Sequence, residues 1–345
     1  MSVLHLLGSS ADGGAETYYS DLVKALSLSG LKQGTAIRAH AGREATLQAA
    51  AIPTRVFGFG GPLDILTRPR LRALARRVDA KVLVAWMNRA ARHTPSGPWA
   101  RIGRLGGYYD LKNYRGFDVL VGNTPDIARW MVAEGWPSDR AVYIPNFAET
   151  GSDLTVARDT LDTPSGVPLL LSMGRLHQVK AHDISLKALQ KLPEAYLWIA
   201  GTGPLEAALK ALAMDLGVSD RVRFLGWRDD ASALYQTADV CLFPSRYEPL
   251  GNVVIQCWAH GLPIVAAASQ GPSQLIIPGT DGLLVPIDDS DALADGVAQI
   301  LKDKAFSAQL IANGLAHVQA EFSKASVVAR WRNLLAEWGE PTCAA

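Results

Sequence analysis

Cysteine is scarce in this sequence of 345 residues. Only Cys241, Cys257 and Cys343 occur, and no two share the spacing of a zinc site or of a disulfide framework. A disulfide-stapled fold is thereby excluded. Cys241, inside the apolar run 240–243, reads as a buried core thiol, and a reducing cytoplasm is the natural compartment. Long apolar runs are missing too. No stretch of about 18 apolar residues could span a membrane. Residues 1–8 carry no basic segment, and their apolar run is too short for a signal peptide. Several chemistries lack their motifs, among them the Walker P-loop and the G-x-S-x-G nucleophile elbow. A dinucleotide fingerprint stops short: Gly201 and Gly203 are followed by Glu206 where a third glycine belongs. No metal site is expected. Asp289-Ser290-Asp291 has a D-x-D pattern, but it follows a strand and suits a helix cap.

What is present describes a folded chain. An apolar fraction of 48% against 19% charged residues is globular, and the length allows about two domains. The net charge of +1 conceals an asymmetry. Residues 1–150 hold 19 basic and 12 acidic side chains, and residues 151–345 hold 15 and 21. The excess gathers between Arg68 and Arg115, where only Asp79 and Asp110 oppose it. A solvated helix face explains part of this. The functional alternative is attraction to an anionic membrane surface or a phosphorylated acceptor. No nucleic-acid module accompanies the charge.

Short apolar runs alternate with helical patterns throughout. Strands are expected at 3–7, 35–39, 54–57, 82–86, 119–122 and 142–144, with helices at 16–29 and 125–133 among them. Residues 149–167, rich in Asp, Thr, Ser, Gly and Pro, read as a linker. A second series follows. Strands are expected at 169–173, 196–200, 222–225, 240–243, 263–266 and 283–285, separated by helices at 181–191, 205–216, 231–237, 253–260 and 291–302. Continuous apolar strands are those buried on both faces, so the fold class is α/β with two parallel-sheet domains. The domains run over 1–150 and 151–322. A final amphipathic helix within 323–345 carries Val327, Val328, Trp331, Leu334, Leu335 and Trp338 at helical spacing, and packing against the first domain would bury that stripe.

The most informative stretch is FPSRYEPLGNVVIQ, residues 243–256. A strand ends at Phe243, a loop holds Glu248-Pro249-Leu250-Gly251, and a helix begins near Asn252. Free amides at a helix start form an anion site. Asn252 is better placed than Glu248 to cap that helix. A second strand runs into the turn Gly174-Arg175, with Lys180 opening the next helix. Arginine offers a bidentate fork to an anion and lysine a point charge. His177 and His182 flank this pair and read as structural.

These residues resemble the E-P-x-G-x-x-x-x-E signature of the retaining GT-B glycosyltransferases, specifically glycosyltransferase family 4. The resemblance implies two Rossmann-like parallel-sheet domains facing a central cleft. It implies a sugar transferred with retention from a nucleotide-sugar, UDP-, GDP- or ADP-linked, with no resident cofactor. Glu248 would address the donor sugar, while Arg175 and Lys180 would stabilise the departing diphosphate. The amides of Leu250, Gly251, Asn252 and Val253 would face the phosphates. At the ribose position this chain has Gln256 where the signature has glutamate. The turns at Gly174 and Gly203 and the backbone near Leu225 would complete the donor side. In the first domain, Gly13, Gly14 and Glu16 resemble the family's glycine-rich loop, close to phosphate and acceptor. Asn88, Arg89, His93 and Asn123 are acceptor candidates at strand ends, and Asn146 reads as a cap. The turn 268–272 either closes over the sugar or is a plain connection. Within the family, the chain resembles bacterial transferases of surface-polysaccharide and lipopolysaccharide-core assembly. Their acceptors are lipid-linked and often phosphorylated, which suits a cytoplasmic protein peripheral to the inner membrane. An NAD-dependent oxidoreductase would need the full fingerprint, and a non-catalytic nucleotide-sugar binder would not need Glu248, Arg175 and Lys180 together.

Overall fold

The computed structural model describes residues 2–61, 63–148 and 154–339. Cys343, residues 149–153 of the expected linker and residues 340–345 of the expected terminal segment lie outside the described residues. The chain divides into two compact units, one reaching Asn146 and including the last helix, the other Phe147–Ser323.

In the first unit, β1 (Ser2–Leu7), β2 (Lys32–Arg38), β3 (Thr54–Phe57), β4 (Val82–Trp86), β5 (Ala100–Leu105), β6 (Val119–Gly122) and β7 (Ala141–Tyr143) form one parallel sheet. Their order is β3-β2-β1-β4-β5-β6-β7. The central strands β1 and β4 are buried along their whole length, as continuous apolar runs require. Parallel neighbours need crossovers, which α1 (Gly14–Leu28), α2 (Ala41–Ala49), α3 (Thr67–Arg77), α4 (Met87–His93) and α5 (Pro125–Ala133) help to supply. α5 starts where its chemistry says it should. Thr124 accepts from the Ile127 amide, and Pro125 fills the first turn.

β5 is a strand that the pattern of apolar residues does not predict, because Arg101 and Arg104 interrupt it. Arg101 lies over the Phe117 ring at 5.7 Å. Arg104 is buried, 5.4 Å from the Tyr18 ring and 5.1 Å from that of Trp86, and its Nη2 donates to Asn146 Oδ1 at 2.6 Å. Two aromatic faces and an amide thus replace a carboxylate partner. Asn146 is accordingly a partner for Arg104 and not a cap, and Arg104 is no part of a basic surface.

The second unit repeats the plan. β8 (Leu169–Met173), β9 (Tyr196–Ala200), β10 (Val222–Gly226), β11 (Val240–Phe243), β12 (Ile264–Ala267) and β13 (Leu283–Val285) pair in parallel in the order β10-β9-β8-β11-β12-β13. Helices α6 (His182–Gln190), α7 (Glu206–Asp215), α8 (Ala231–Thr237), α9 (Asn252–Ala259), α10 (Gln270–Leu275), α11 (Ser290–Lys302) and α12 (Lys304–His317) accompany them. Residues 154–167 are no loose tether. Arg158 donates to the carbonyls of Val167 (2.9 Å) and Thr237 (2.8 Å), and the Val156 amide donates to Thr237 Oγ1. Asp289 caps α11 by accepting from the amides of Asp291 and Ala292. Asp291 pairs with Lys191, so the D-x-D pattern is a cap and an ion pair.

The last helix, α13 (Lys324–Gly339), belongs to the first unit. Its buried stripe includes Val327, Trp331, Leu334 and Leu335. Trp331 stacks on Trp86 with ring centres 6.3 Å apart and planes at 17°. Arg332 donates to the Ser29 carbonyl just past α1. Because Trp331 is fully enclosed, Trp331→Ala should lower unfolding stability by about 3–5 kcal/mol. A shift in the denaturant midpoint measures this, and an unchanged midpoint would show that the stripe contributes nothing.

Candidate functional site

In an open parallel sheet the strand order reverses at one place, and the crevice outside the carboxyl ends there is where ligands bind. In the second unit that place lies between β8 and β11. The two loops leaving these strands carry Gly174, Arg175 and Lys180 on one side and Glu248 to Gly251 on the other. Topology therefore brings together residues separated by 68 positions.

After β8 the chain turns at Gly174, whose φ of +148° few other residues adopt. Lys180 closes a short 3-10 turn, Gln178–Lys180, and Ala181 takes a left-handed conformation before α6 begins at His182. Lys180 therefore precedes the helix and does not open it. Its Nζ forms an ion pair with Glu248 Oε2 and lies 5.5 Å from the centre of the Phe243 ring. Both side chains are largely buried, which strengthens their attraction relative to a solvated pair. Arg175 is exposed, and its guanidinium makes no ion pair among the described residues. One cation is thus engaged with the carboxylate and the other is available to an anion.

Asn252 is not the cap of α9. Gly251 holds that position with φ +88° and ψ +52°, and its amide donates to Glu248 Oε1 at 3.3 Å. Glu248 consequently touches both Lys180 and the helix entrance. The turn 268–272 packs behind this loop. The Gly271 amide donates to the Glu248 carbonyl at 2.6 Å, and a Cβ on Gly271 would collide with the Leu250 carbonyl. Asn252, Val253 and Gln256 share the half-buried side of α9, whereas Val254, Ile255, Cys257 and Trp258 face the core. The Gln256 side-chain amide makes no hydrogen bond among the described residues. Gly201 and Gly203 serve close packing. A Cβ on the first would strike the Gly174 carbonyl, and one on the second would strike the Leu176 backbone. Leu225 is partly buried in β10.

The sequence pattern missed the brace of this site. Arg246 sits on the β11 loop and grips Asp183 through two bonds, Nη1 to Oδ1 at 3.0 Å and Nη2 to Oδ2 at 2.7 Å. It also donates to Asp288 Oδ1 at 2.5 Å and to the Gln178 carbonyl at 2.8 Å, while its own amide donates to the Val179 carbonyl at 2.9 Å. The turn bearing Lys180 is thereby fastened to the loop bearing Glu248. A charged residue two places before Glu248 was the available signal, but its partners lie 42 to 68 positions away.

His182 is enclosed beneath this turn, with Ser172 Oγ at 3.0 Å from Nδ1 and the Gly174 carbonyl at 3.3 Å from Nε2. Burial pushes its pKa down to about 4. His177, by contrast, is exposed and accepts from the Val179 amide.

In the first unit the corresponding reversal lies between β1 and β4. Gly13 precedes α1, and Glu16 in its first turn accepts from Ser9 Oγ at 2.6 Å. Gly14 is exposed at the start of that helix. At the end of β4, Met87 holds a left-handed φ of +63°, a strain that places Asn88 at the sheet edge. Asn88 Oδ1 and Asn123 Oδ1 are buried acceptors without a partner among the described residues. Arg89 is exposed and donates to the Phe59 carbonyl at 3.4 Å. His93, the weakest of the acceptor candidates, lies further in. It is buried edge-on against Phe59 and bonded to the Gly60 carbonyl at 3.2 Å, so it holds a loop.

Comparison with known proteins shows the family. The family described as "Glycosyl transferases group 1" matches residues 155–317. The chain is 37% identical to the lipopolysaccharide core biosynthesis glycosyltransferase LpsE of Rhizobium meliloti, over 94% of this chain and 96% of the relative. It is 33% identical to LpsD of the same organism, over 97% and 98%. Among solved structures, Anabaena HepE in complex with UDP-glucose matches with a TM-score of 0.86 at 21% identity, covering 98% of this chain and 100% of that one. That likeness shows the fold, which is GT-B.

Two measurements follow from the site. His182 is neutral when folded but takes a proton near pH 6.5 when unfolded, so its stabilisation is complete above that pH and lost as pH falls towards 4. The loss should reach about 3 kcal/mol. Unfolding curves between pH 7 and 4 should show it, and His182→Gln should flatten part of the slope. Arg246→Met should release the Lys180 turn, raising the exchange rates of the amides at 178–181 by roughly tenfold or more. Unchanged protection there would show that the brace is redundant.

Proposed function

Because the chain belongs to the group 1 glycosyl transferases, we propose that it is a retaining, family 4 enzyme of lipopolysaccharide core assembly. It would move a sugar from a nucleoside-diphosphate sugar to a lipid-linked, anionic glycan acceptor. The observation that carries this reading is the Lys180–Glu248 ion pair beside the uncommitted Arg175, at the reversal point of the second sheet. The bond from the anomeric carbon to the diphosphate oxygen breaks with its electron pair. The acceptor hydroxyl oxygen forms the new bond on the same face, and its proton passes to the departing diphosphate. Negative charge grows on that leaving group, and Arg175, Lys180 and the amides following Leu250 are the groups suited to offset it. Glu248, held by Lys180 and the Gly251 amide, would hydrogen-bond the donor sugar. With two cations at hand, the reaction would need neither a metal ion nor a resident cofactor. Gln256 would meet the ribose through neutral hydrogen bonds.

The acceptor assignment draws on the names of LpsE and LpsD and on the excess of basic residues in the first 150 positions. Asn88 and Asn123, each with a buried acceptor at the sheet edge that has no partner among the described residues, and exposed Arg89 are the groups suited to bind it. Such a reaction belongs on the cytoplasmic face of the inner membrane, where nucleotide-sugars are made. UDP-glucose, the ligand of HepE, is the first donor to try, with GDP- and ADP-linked sugars beside it.

A donor panel with detection of released nucleoside diphosphate tests the proposal. Glu248→Gln and Arg175→Ala should each lower turnover by about 10²–10³-fold, and the product should retain the donor's anomeric configuration by NMR. Binding without turnover for every donor would make the protein a nucleotide-sugar binder, and thermal stabilisation by NAD alone would overturn the reading.

A further inference from the structure

The first unit exposes an apolar cluster at an unusual place. Leu63, Ile65 and Leu66, between β3 and α3, are 94%, 78% and 54% exposed. Scattered exposed leucines are ordinary, but three within four residues form a patch. The segment is firmly held beneath. Asp64 accepts from the Gly60 amide at 2.7 Å, the Thr67 hydroxyl at 2.6 Å and the Thr67 amide at 3.0 Å. Phe59 is fully buried and its amide donates to Thr67 Oγ1. His93 closes the other side through the Gly60 carbonyl. The local carboxylate is thus occupied by donors of its own loop while the aliphatic side chains are held out.

α3 continues directly from this patch. Thr67, Leu71, Leu74 and Ala75 bury one face, and Arg68, Arg70, Arg72, Arg76 and Arg77 occupy the rest of the circumference. Arg72 bonds Ser96. The guanidinium groups of the other four make no ion pair or hydrogen bond among the described residues. Apolar side chains beside unneutralised arginines match the two layers of a lipid surface, acyl chains below and anionic headgroups above. The position also makes sense. β3 is parallel to β1 and β4, so the patch lies at the same sheet edge as Gly13 and Asn88, and Arg89 touches it through Phe59.

We propose that Leu63, Ile65 and Leu66 insert among the lipids of a bilayer carrying anionic headgroups while the arginines of α3 bind those headgroups. This rests on reading the acceptor as lipid-linked, and it narrows the basic stretch 68–115 to one helix and one loop. Docking here would bring the acceptor edge of the first sheet to the membrane surface.

Flotation of the full chain with vesicles tests this without any donor or acceptor. The protein should float with vesicles of mixed phosphatidylglycerol and phosphatidylcholine, and not with phosphatidylcholine alone. Release should follow at about 0.5 M salt, where screening shortens to a few ångströms. Replacing Leu63, Ile65 and Leu66 with serine should weaken binding roughly tenfold or more, with the same thermal midpoint and the same nucleoside-diphosphate release from soluble donor. As a second measurement, an environment-sensitive dye on Leu63→Cys, in a chain also carrying Cys343→Ser, should brighten on vesicle addition, whereas the dye on Leu28→Cys in that same chain, also exposed but at the far end of α1, should not. Equal flotation of the serine variant would overturn the proposal. So would failure of the wild type to float, or self-association abolished by the serines, which would make the patch a contact between copies. Loss of donor turnover with intact flotation would instead count against the enzymatic reading alone.

Discussion

A parallel sheet imposes a constraint that governs the rest of this molecule: all its strands point one way, so all their carboxyl ends share one edge. Each crossover helix returns the chain to the opposite edge, and the loops leaving the strands collect polar residues that the buried strands cannot carry. Both units obey this, with the order reversing beside their first strand, β1 in one and β8 in the other. The reversal separates two neighbouring loops and leaves a crevice between them. In the second unit those loops carry Lys180 and Glu248, and in the first they carry Gly13 and Asn88.

Charge at the reversal point of the second sheet is arranged by burial as much as by residue type. Lys180 and Glu248 neutralise one another in a partly desolvated setting, over the face of Phe243. Neither would be stable there alone. Arg246 supplies the geometry, since one guanidinium grips Asp183 and reaches Asp288 and the Gln178 carbonyl. The glycines of the region answer a different need. Gly201, Gly203 and Gly271 allow backbone to lie against backbone, which draws the loops within reach of each other.

The first unit handles its cations in two opposite ways. Arg104 is drawn inside and held by two aromatic rings and Asn146. The arginines of α3 stay in solvent beside Leu63, Ile65 and Leu66. In a count of charge these residues look alike. Only β5, passing through the middle of the sheet, separates them.

Much of the fold was legible from the chain itself. Strands such as 82–86, 119–122, 169–173 and 196–200 follow from apolar runs long enough to be buried on both faces, and their alternation with helices dictates a parallel α/β plan. Thr124-Pro125 and Asp289 announce helix starts through chemistry local to a few residues. Arg175 and Lys180 stand out because cations at a strand end suit an anion, and Glu248 because it stands in the E-P-x-G stretch ahead of a helix start. By contrast, β5, the enclosure of His93, the cap at Gly251 and the brace through Arg246 were settled only in three dimensions. Each depends on partners tens of residues away, or on a backbone conformation that side-chain pattern does not encode. The amino-acid sequence alone determined which apolar runs must be buried and which charged residues stand at the ends of strands. The tertiary structure alone decided which charges are paired, which are hidden and which face solvent, because pairing and burial are properties of distance through space.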